Sequence, residues 1–247
     1  MSALILRIIA CAAMLLDHIG FITGNMFLRA IGRIAFPIFV YLICNGFCYT
    51  SCRWRYALRL AAFALLSQIP FSLLCSNSLT YRTGNVFFTL LAALLCIWVT
   101  DLLLKNKIGK WFCWMPLGVC CLLYYMGFLR SDYGARGIVL AMAFYLFNGK
   151  KWWQRLLMIA GCLISVFYNQ LVGIALTLLI KGTLSVPALS RWDLWQLFSL
   201  AALPLIFLYN GQKGPQPTNK VLAKAIQIGF YVFYPLHMIV LWLVAIL

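Results

Sequence analysis

The chain has 247 residues, of which 65% are hydrophobic and only 10% charged, and its mean hydropathy is +0.96. A water-soluble domain is about half apolar and about a quarter charged, so this composition excludes an ordinary soluble enzyme and predicts membrane-spanning helices. Twenty Lys and Arg residues stand against four acidic residues. The basic residues form short clusters between apolar segments, which disfavours nucleic-acid binding and is typical of membrane topology signals.

Apolar length predicts the elements, because each crossing of a bilayer needs about 20 residues. Nine candidate segments lie at residues 3–25, 29–50, 54–75, 84–104, 111–129, 134–148, 152–180, 192–210 and 222–246. Asn169 and Gln170 interrupt the long seventh segment, which can form one tilted helix or two half-helices. The fold class expected is therefore all-α, a polytopic integral membrane helix bundle with about nine transmembrane helices and a single domain over 1–247.

The distribution of Lys and Arg predicts the orientation of the bundle. With a cytoplasmic N-terminus, thirteen of these residues fall on the cytoplasmic side and seven on the outer side, and the excess inside favours this arrangement. The seven outer residues are Arg29, Arg33, Arg82, Arg130, Arg136, Lys181 and Arg191. The expected location is the inner (cytoplasmic) membrane, in a multi-pass arrangement. Asp17 and His18 interrupt the first apolar segment, which argues against a cleavable signal peptide.

Two ionisable residues stand side by side in the first predicted helix, within the stretch MLLDHIGF. Ionisable groups at membrane depth are costly and usually pair with one another or face a cavity, so Asp17 and His18 are candidate site residues. His18 lies about 22 Å along its helix, and His237 lies about as far along the last one. Adjacent helical residues point about 100° apart, so Asp17 is expected to pair with an arginine of another helix, first of all Arg33. Tyr234 precedes His237 by one turn on the same face.

Further polar residues have two interpretations each. Asp132 and Arg136 fall in or beside an outer connection in SDYGARG, as does Arg82 elsewhere. Asp132 can hold a cationic acceptor or simply pair with Arg136. Asn85 can contact substrate or can join helices by hydrogen bonds.

The basic stretch CRWRYALRL is expected to face the cytoplasm. Its arginines, Arg53, Arg55 and Arg59, have two interpretations. They are topology signals that contact lipid headgroups, or they form a binding site for the phosphate groups of a ligand. The ten cysteines form no CxxC pair and lie near no histidine at metal-ligand spacing, so the sequence predicts apolar packing for them and no metal site.

Seven stretches along almost the whole chain together resemble the TraX family, whose named member is an F-pilin acetylase. They are LILRIIACAAMLLDHIGF, LRAIGRIAFPIFVYLICNGFCY, YALRLAAFALLSQIPF, GNVFFTL, SDYGARGIVL, LPLIFLYNGQKG and FYVFYPLHM. This family is grouped with the membrane acyltransferase superfamily, so the resemblance implies acyl transfer from acetyl-CoA. His18 matches the functional histidine of an early helix in those relatives, and Arg53 to Arg59 match their cytoplasmic basic residues. The resemblance does not imply that pilin is the acceptor.

The enzyme implied is an acyl-CoA-dependent acetyltransferase that moves an acetyl group from cytoplasmic acetyl-CoA to an amine or hydroxyl at the outer face. His18 is expected to act as general base or transient acyl carrier, with Asp17 orienting groups or balancing charge. Arg33, His237 and Tyr234 are candidate donors to the developing oxyanion. The acceptor stays open among a protein N-terminus, a sugar, a lipid headgroup and a small amine. A solute transporter or flippase using the same polar cavity is the alternative, and a structural membrane subunit is a third.

Overall fold

A computed structural model describes residues 1–79, 83–106, 110–128, 130–184, 186–215 and 218–246. The described residues form helices and no strand, apart from an isolated bridge between Gly84 and Ser131. The helices are α1 (Ala3–Thr23), α2 (Met26–Gly32), α3 (Ala35–Tyr49), α4 (Arg53–Ser76), α5 (Val86–Lys105), α6 (Met115–Tyr125), α7 (Gly134–Leu146), α8 (Trp152–Val166), α9 (Tyr168–Lys181), α10 (Arg191–Gln196), α11 (Ala202–Phe207) and α12 (Lys220–Ile246). Short 3-10 helices, Lys110–Trp114 and Leu197–Ala201, precede α6 and α11. Arg82, one of the predicted outer arginines, lies outside the described residues.

Within the described residues, five helical units are long and apolar enough to cross a membrane: α1, α2 with α3, α4, α5 and α12. A sixth is obtained if α8 and α9 count as one span. These helices indicate a membrane protein. Nine crossings are more than the described helices provide, because the apolar helices over Phe112–Tyr125, Gly134–Leu146 and Asp193–Phe207 have only 10–17 residues. Apolar sequence continues through turns and 3-10 helices, so composition alone does not show where a helix ends, and it overestimates the number of crossings.

The long seventh segment of the sequence is two helices. α8 ends at Val166 and α9 begins at Tyr168, and the two are bent by 71° relative to each other. The break falls at Phe167, whose N–H still closes the last turn of α8 on Leu163. The observed break thus lies two residues before Asn169, the first of the two polar residues that predict an interruption of this segment.

Helix α3 lies at the centre of the bundle, in contact with α1, α5, α7 and α11. Its side chains are apolar on nearly every side, which is the pattern of a helix surrounded by others. Ile38, Val40, Cys44 and Phe47 are buried in it. Pro37 lies in the first turn, where a missing backbone N–H breaks no helical hydrogen bond.

Helices α1 and α12 run in the same direction, as the sequence predicts for the first and last helices. Arg7 lies over the ring of Phe230, and further along both helices His18 bonds to His237. Two contacts show the same direction for α4 and α12, namely Phe63 with Tyr231 and Asn77 with Trp242. The two ends of the bundle are called the Arg7 end and the His18 end below. Which end faces the cytoplasm stays a prediction.

Candidate functional site

A tight helical hairpin builds the polar layer at the His18 end. Gly24 ends α1 in the left-handed conformation, with φ of 69°. The side chain of Asn25 then accepts hydrogen bonds from the N–H groups of Phe27 and Leu28 and so begins α2. A Cβ added to Gly32 would lie 2.6 Å from the Cα of Asp17. Only glycine therefore lets α2 return this closely along α1.

The hairpin brings Asp17 onto an arginine of the neighbouring helix, as the sequence predicts. The carboxylate forms an ion pair with Arg33, whose side chain is only 6% exposed, and Arg29 approaches it to 3.6 Å. The Nε of Arg33 also donates to the carbonyl of Arg29 at 3.3 Å. Asp17 therefore balances buried positive charge. Arg33 is paired with Asp17 and is not among the residues that line the cavity beside His18, and its role as an oxyanion donor stays a prediction.

The two histidines of the chain are hydrogen-bonded to each other across α1 and α12. Nδ1 of His18 lies 2.7 Å from Nε2 of His237, and Nδ1 of His237 lies 2.7 Å from the carbonyl oxygen of Phe233. A carbonyl oxygen only accepts, so Nδ1 of His237 carries a proton and, in the neutral ring, Nε2 is the acceptor. His18 then donates from Nδ1. The nitrogen of His18 left with a free lone pair is Nε2.

A small cavity of about 40 Å³ lies beside His18. Its walls come from α1, α2, α3, α5, the turn before α7, and α12, including Asp17, Asp132, Tyr133 and Tyr234. Burial raises the pKa of the Tyr133 hydroxyl to about 12, so this group keeps its proton and remains a donor. The cavity thus combines a basic nitrogen with phenolic hydroxyls in the walls.

A second cavity of about 100 Å³ adjoins the first and extends toward the Arg7 end. The two share four wall residues, Met14, Phe39, Val86 and Tyr234. The second cavity is mainly apolar in its middle, and it carries polar groups from α1, α4 and α12 in the side chains of Arg7, Tyr56, Gln227 and Tyr231. The two neighbouring cavities therefore lie between His18 and an arginine three turns earlier on α1, and the four shared side chains stand between them.

The arginines predicted to seat phosphates have separate positions. Arg53 forms an ion pair with Asp101 at 2.6 Å and lies over the ring of Phe47. Arg59 is exposed and lies over the ring of Tyr56, which lines the second cavity. Arg55 is exposed and lines none of the cavities described here. Of the three, Arg59 is the one connected with the cavity system.

Of the three residues predicted to contact substrate, Asp132, Arg136 and Asn85, only the first lines the His18 cavity. Asp132 is exposed and lines the His18 cavity, and no salt bridge in the described part of the chain joins it to Arg136. Arg136 lines a neighbouring small cavity with Arg33. Asn85 is fully buried, caps α5 through Phe87, and donates to the carbonyl of Ala64 at 2.7 Å. Asn85 is thus used in joining α5 to α4.

Sequence reasoning missed the wall of the second cavity. Arg7 is one of the thirteen basic residues that the sequence assigns to the cytoplasmic side as topology signals, although a charged residue inside an apolar segment is itself a candidate site residue. Tyr56, Gln227 and Tyr231 carry no comparable signal, because tyrosines and isolated amides are common in membrane helices. Their convergence depends on α4 and α12 packing side by side.

The resemblance found in the sequence is supported by comparison with known proteins. The family described as TraX protein matches residues 2–245 of the chain. The chain belongs to the TraX family. It is also similar to a protein of Dichelobacter nodosus named "Probable fimbrial assembly protein FimC, serogroup H1", with 27% identity over 97% of this chain and 94% of that one. No solved structure matches the chain.

The match covers every part of the site of this TraX protein. Residues 2–245 include the α1–α2 hairpin, the cavity system and the His18–His237 pair. The site is therefore built within the region that defines the family, from the first helix and the last.

Proposed function

We propose that this TraX protein is a membrane acetyltransferase, a member of the membrane acyltransferase superfamily, that uses acetyl-CoA as acyl donor. The observation that carries the proposal is the His18–His237 hydrogen bond beside a small cavity, with a second cavity next to it on the side of the Arg7 end. An ionisable side chain inside an apolar helix bundle is costly, so it usually has a function. Removal of a proton from the acceptor group is a function that a histidine can serve.

His18 is the group proposed to act on the acceptor. Nε2 removes the proton of the attacking amine or hydroxyl, and His18 becomes an imidazolium. The hydrogen bond from its Nδ1 to Nε2 of His237 then becomes charge-assisted and stabilises that cation. The same proton is afterwards given to the leaving thiolate, so protons balance over the cycle. His237 is a positioning residue, because it fixes which nitrogen of His18 is free.

The same geometry permits a two-step route. Nε2 of His18 then attacks the acyl carbonyl itself and expels the thiolate of coenzyme A. The acceptor amine or hydroxyl next attacks the acylated ring, which frees His18, and the proton that the acceptor loses goes to the thiolate. In both routes Tyr133 and Tyr234, which line the cavity, are proposed to donate their hydroxyl protons to the developing oxyanion.

The second cavity is the proposed path for the slender part of an acyl-CoA. Coenzyme A supplies an activated acyl carbonyl at the end of a thin, uncharged arm and carries several negative charges at the other end. Arg7 and Gln227 line the cavity away from His18, and exposed Arg59 lies beside its wall residue Tyr56. We propose this end for the phosphate-bearing part, facing the cytoplasm where acetyl-CoA is made. Met14 and Phe39 must move aside for the arm to reach His18.

The acceptor proposed is an amine or hydroxyl on a subunit of a cell-surface fibre. The support is the name of the Dichelobacter nodosus relative, a probable fimbrial assembly protein. Asp132, exposed in the wall of the His18 cavity, is suited to holding a cationic group near the base.

The proposal is tested with purified protein in lipid nanodiscs, radiolabelled acetyl-CoA, and a membrane extract from cells that produce surface fibres. We expect label to enter a component of the extract, and His18→Ala to reduce its incorporation by at least about 100-fold. Thr23→Ala, an exposed change five residues later on α1, is the matched control and should keep the wild-type rate. Wild-type incorporation by a folded His18→Ala protein would refute the proposal.

A further inference from the structure

A large polar pocket at the Arg7 end shares no wall residue with the two cavities described above. Its volume is about 490 Å³, within the range of about 300–1,000 Å³ typical of small-molecule sites. It lies on the other side of α3 from the second cavity. Leu42 and Ile43 of α3 face that cavity, whereas Tyr41 and Asn45 line this pocket. One small ligand therefore does not fill both spaces.

The pocket contains hydrogen-bond donors and positive charge. Lys150 and Arg155 line it, and no carboxylate does. All four salt bridges among the described residues involve Asp17 or Asp101, so neither cation is neutralised by a carboxylate in that part of the chain. Arg155 is positioned by the ring of Phe207, 5.4 Å away. The electrostatics favour an anion.

The turn after α11 supplies a further donor. This turn contains the YNG stretch of the resemblance, which the His18 site does not use. Gly211 adopts a φ of 82°, which turns the chain across the mouth of the pocket. The hydroxyl of Tyr209 accepts from Nδ2 of Asn45 at 2.9 Å, so its own proton remains to be donated to a ligand. The pocket also borders the residues just before α8, where the helix dipole adds positive potential.

We infer that this pocket binds a phosphate group, with Lys150, Arg155 and the Tyr209 hydroxyl as its ligands. Cations, hydroxyl and amide donors and the absence of an acid from the walls are the chemistry that recognises phosphate. Two sources fit that chemistry, a soluble nucleotide such as coenzyme A and the headgroup of an anionic phospholipid. The inference does not rest on the proposed acyl transfer.

The experiment measures two kinds of binding to the full chain. Binding of coenzyme A is measured by calorimetry in nanodiscs of neutral lipid, and co-purification of phosphatidylglycerol is measured by mass spectrometry from mixed-lipid membranes. Arg155→Gln and Lys150→Gln should each weaken one of the two by about tenfold. Lys224→Gln, an exposed lysine of α12 that does not line the pocket, is the matched control and should change neither.

The outcome identifies the source of the phosphate. Selective loss of coenzyme A binding assigns the pocket to a nucleotide, and selective loss of phosphatidylglycerol assigns it to lipid. If both variants keep wild-type binding of both probes, the inference is wrong. Repeating the measurements with His18→Ala separates this result from the proposed function, because that change removes the base and leaves the pocket intact.

Discussion

At the scale of single residues, the site depends on two polar pairs that bridge helices. Asp17 neutralises Arg33 between α1 and the end of α2, and His18 donates to His237 between α1 and α12. The adjacent residues Asp17 and His18 face different partners because neighbouring helical positions point about 100° apart. We expect the Asp17–Arg33 pair to stabilise the fold and the His18–His237 pair to act in catalysis. Changes in the first pair should therefore alter the free energy of unfolding, and changes in the second should alter turnover.

Replacing His237 should impair turnover rather than binding of acetyl-CoA. His237→Phe removes the acceptor for Nδ1 of His18, and we expect kcat to fall by about 100-fold with KM little changed. His237→Gln keeps an acceptor oxygen and should retain more activity than the Phe variant. Steady-state kinetics with thermal unfolding as the folding control measures both. Equal activity of the Phe and Gln variants would show that the hydrogen bond does not orient His18.

Replacing Asp17 should unfold the hairpin more than it alters chemistry. Asp17→Asn removes the carboxylate that is paired with the buried guanidinium of Arg33, which we expect to cost about 3–5 kcal/mol, and the double change Asp17→Asn with Arg33→Met should recover part of that loss. The measurement is thermal or denaturant unfolding in detergent. Lys105→Gln, which removes an exposed ion pair with Asp101, is the control and should cost less than about 1 kcal/mol. Equal effects of the two single changes would contradict this assignment.

At the scale of elements, close helix contact at Gly32 decides where the polar layer forms. The α2 helix returns along α1 with no side chain between Gly32 and Asp17. Gly20 provides a similar approach on α1, where an added Cβ would lie 2.7 Å from the carbonyl oxygen of Asn25. These contacts hold Arg33 at the depth of Asp17.

Adding one methyl group at this contact should therefore destabilise the protein. Gly32→Ala is expected to lower the free energy of unfolding by about 1–3 kcal/mol through overpacking. Gly118→Ala on α6, where an added Cβ meets nothing within 4 Å, is the matched control and should be neutral or stabilising by up to about 1 kcal/mol. Unfolding curves of the two variants in the same detergent test this. A neutral Gly32→Ala would mean that α2 does not pack this closely.

The cavity between α1, α3, α4, α5 and α12 makes a second prediction at this scale. Leu42→Trp places a larger side chain in the wall of the second cavity and should raise the KM for acetyl-CoA by about tenfold. Leu58→Trp on α4, at a side chain that is 49% exposed, adds the same ring outside the cavity and should leave KM unchanged. Kinetics at varied acetyl-CoA concentration makes the comparison, and no difference between the two variants would exclude this route.

At the scale of the whole molecule, the histidines share a depth because α1 and α12 run parallel. The His18 end and the Arg7 end then face opposite sides of the membrane. We expect the Arg7 end to be cytoplasmic, since it carries the predicted excess of Lys and Arg. A reporter enzyme active only outside the cytoplasm should be active when inserted after Leu79, at the His18 end, and inactive when inserted after Ser51. The reverse pattern would show that the His18 end faces the cytoplasm, and it would contradict the proposed entry of acetyl-CoA at the Arg7 end.

The sequence alone determined the class of protein, the positions of most helices and the residues that do not belong in lipid. These follow from local chemistry: apolar length predicts helices in a bilayer, and ionisable groups within them mark a site. The pairing of Asp17 with Arg33 was also predictable, because an ionisable group within a membrane helix needs a partner and Arg33 lies in the next apolar segment.

The tertiary structure decided what depends on how distant segments meet. Apolar composition could not separate full crossings from short helices such as α6 and α7, since both bury apolar side chains. Arg53 and Asn85 proved to be bound within the bundle, to Asp101 and to α4, whereas Arg7 and Tyr133 line cavities. The direction of the His18–His237 hydrogen bond, and with it the free nitrogen of His18, follows from a carbonyl one turn away on α12. Contacts between residues 219 positions apart leave no periodic signal in the sequence, so only the folded chain shows them.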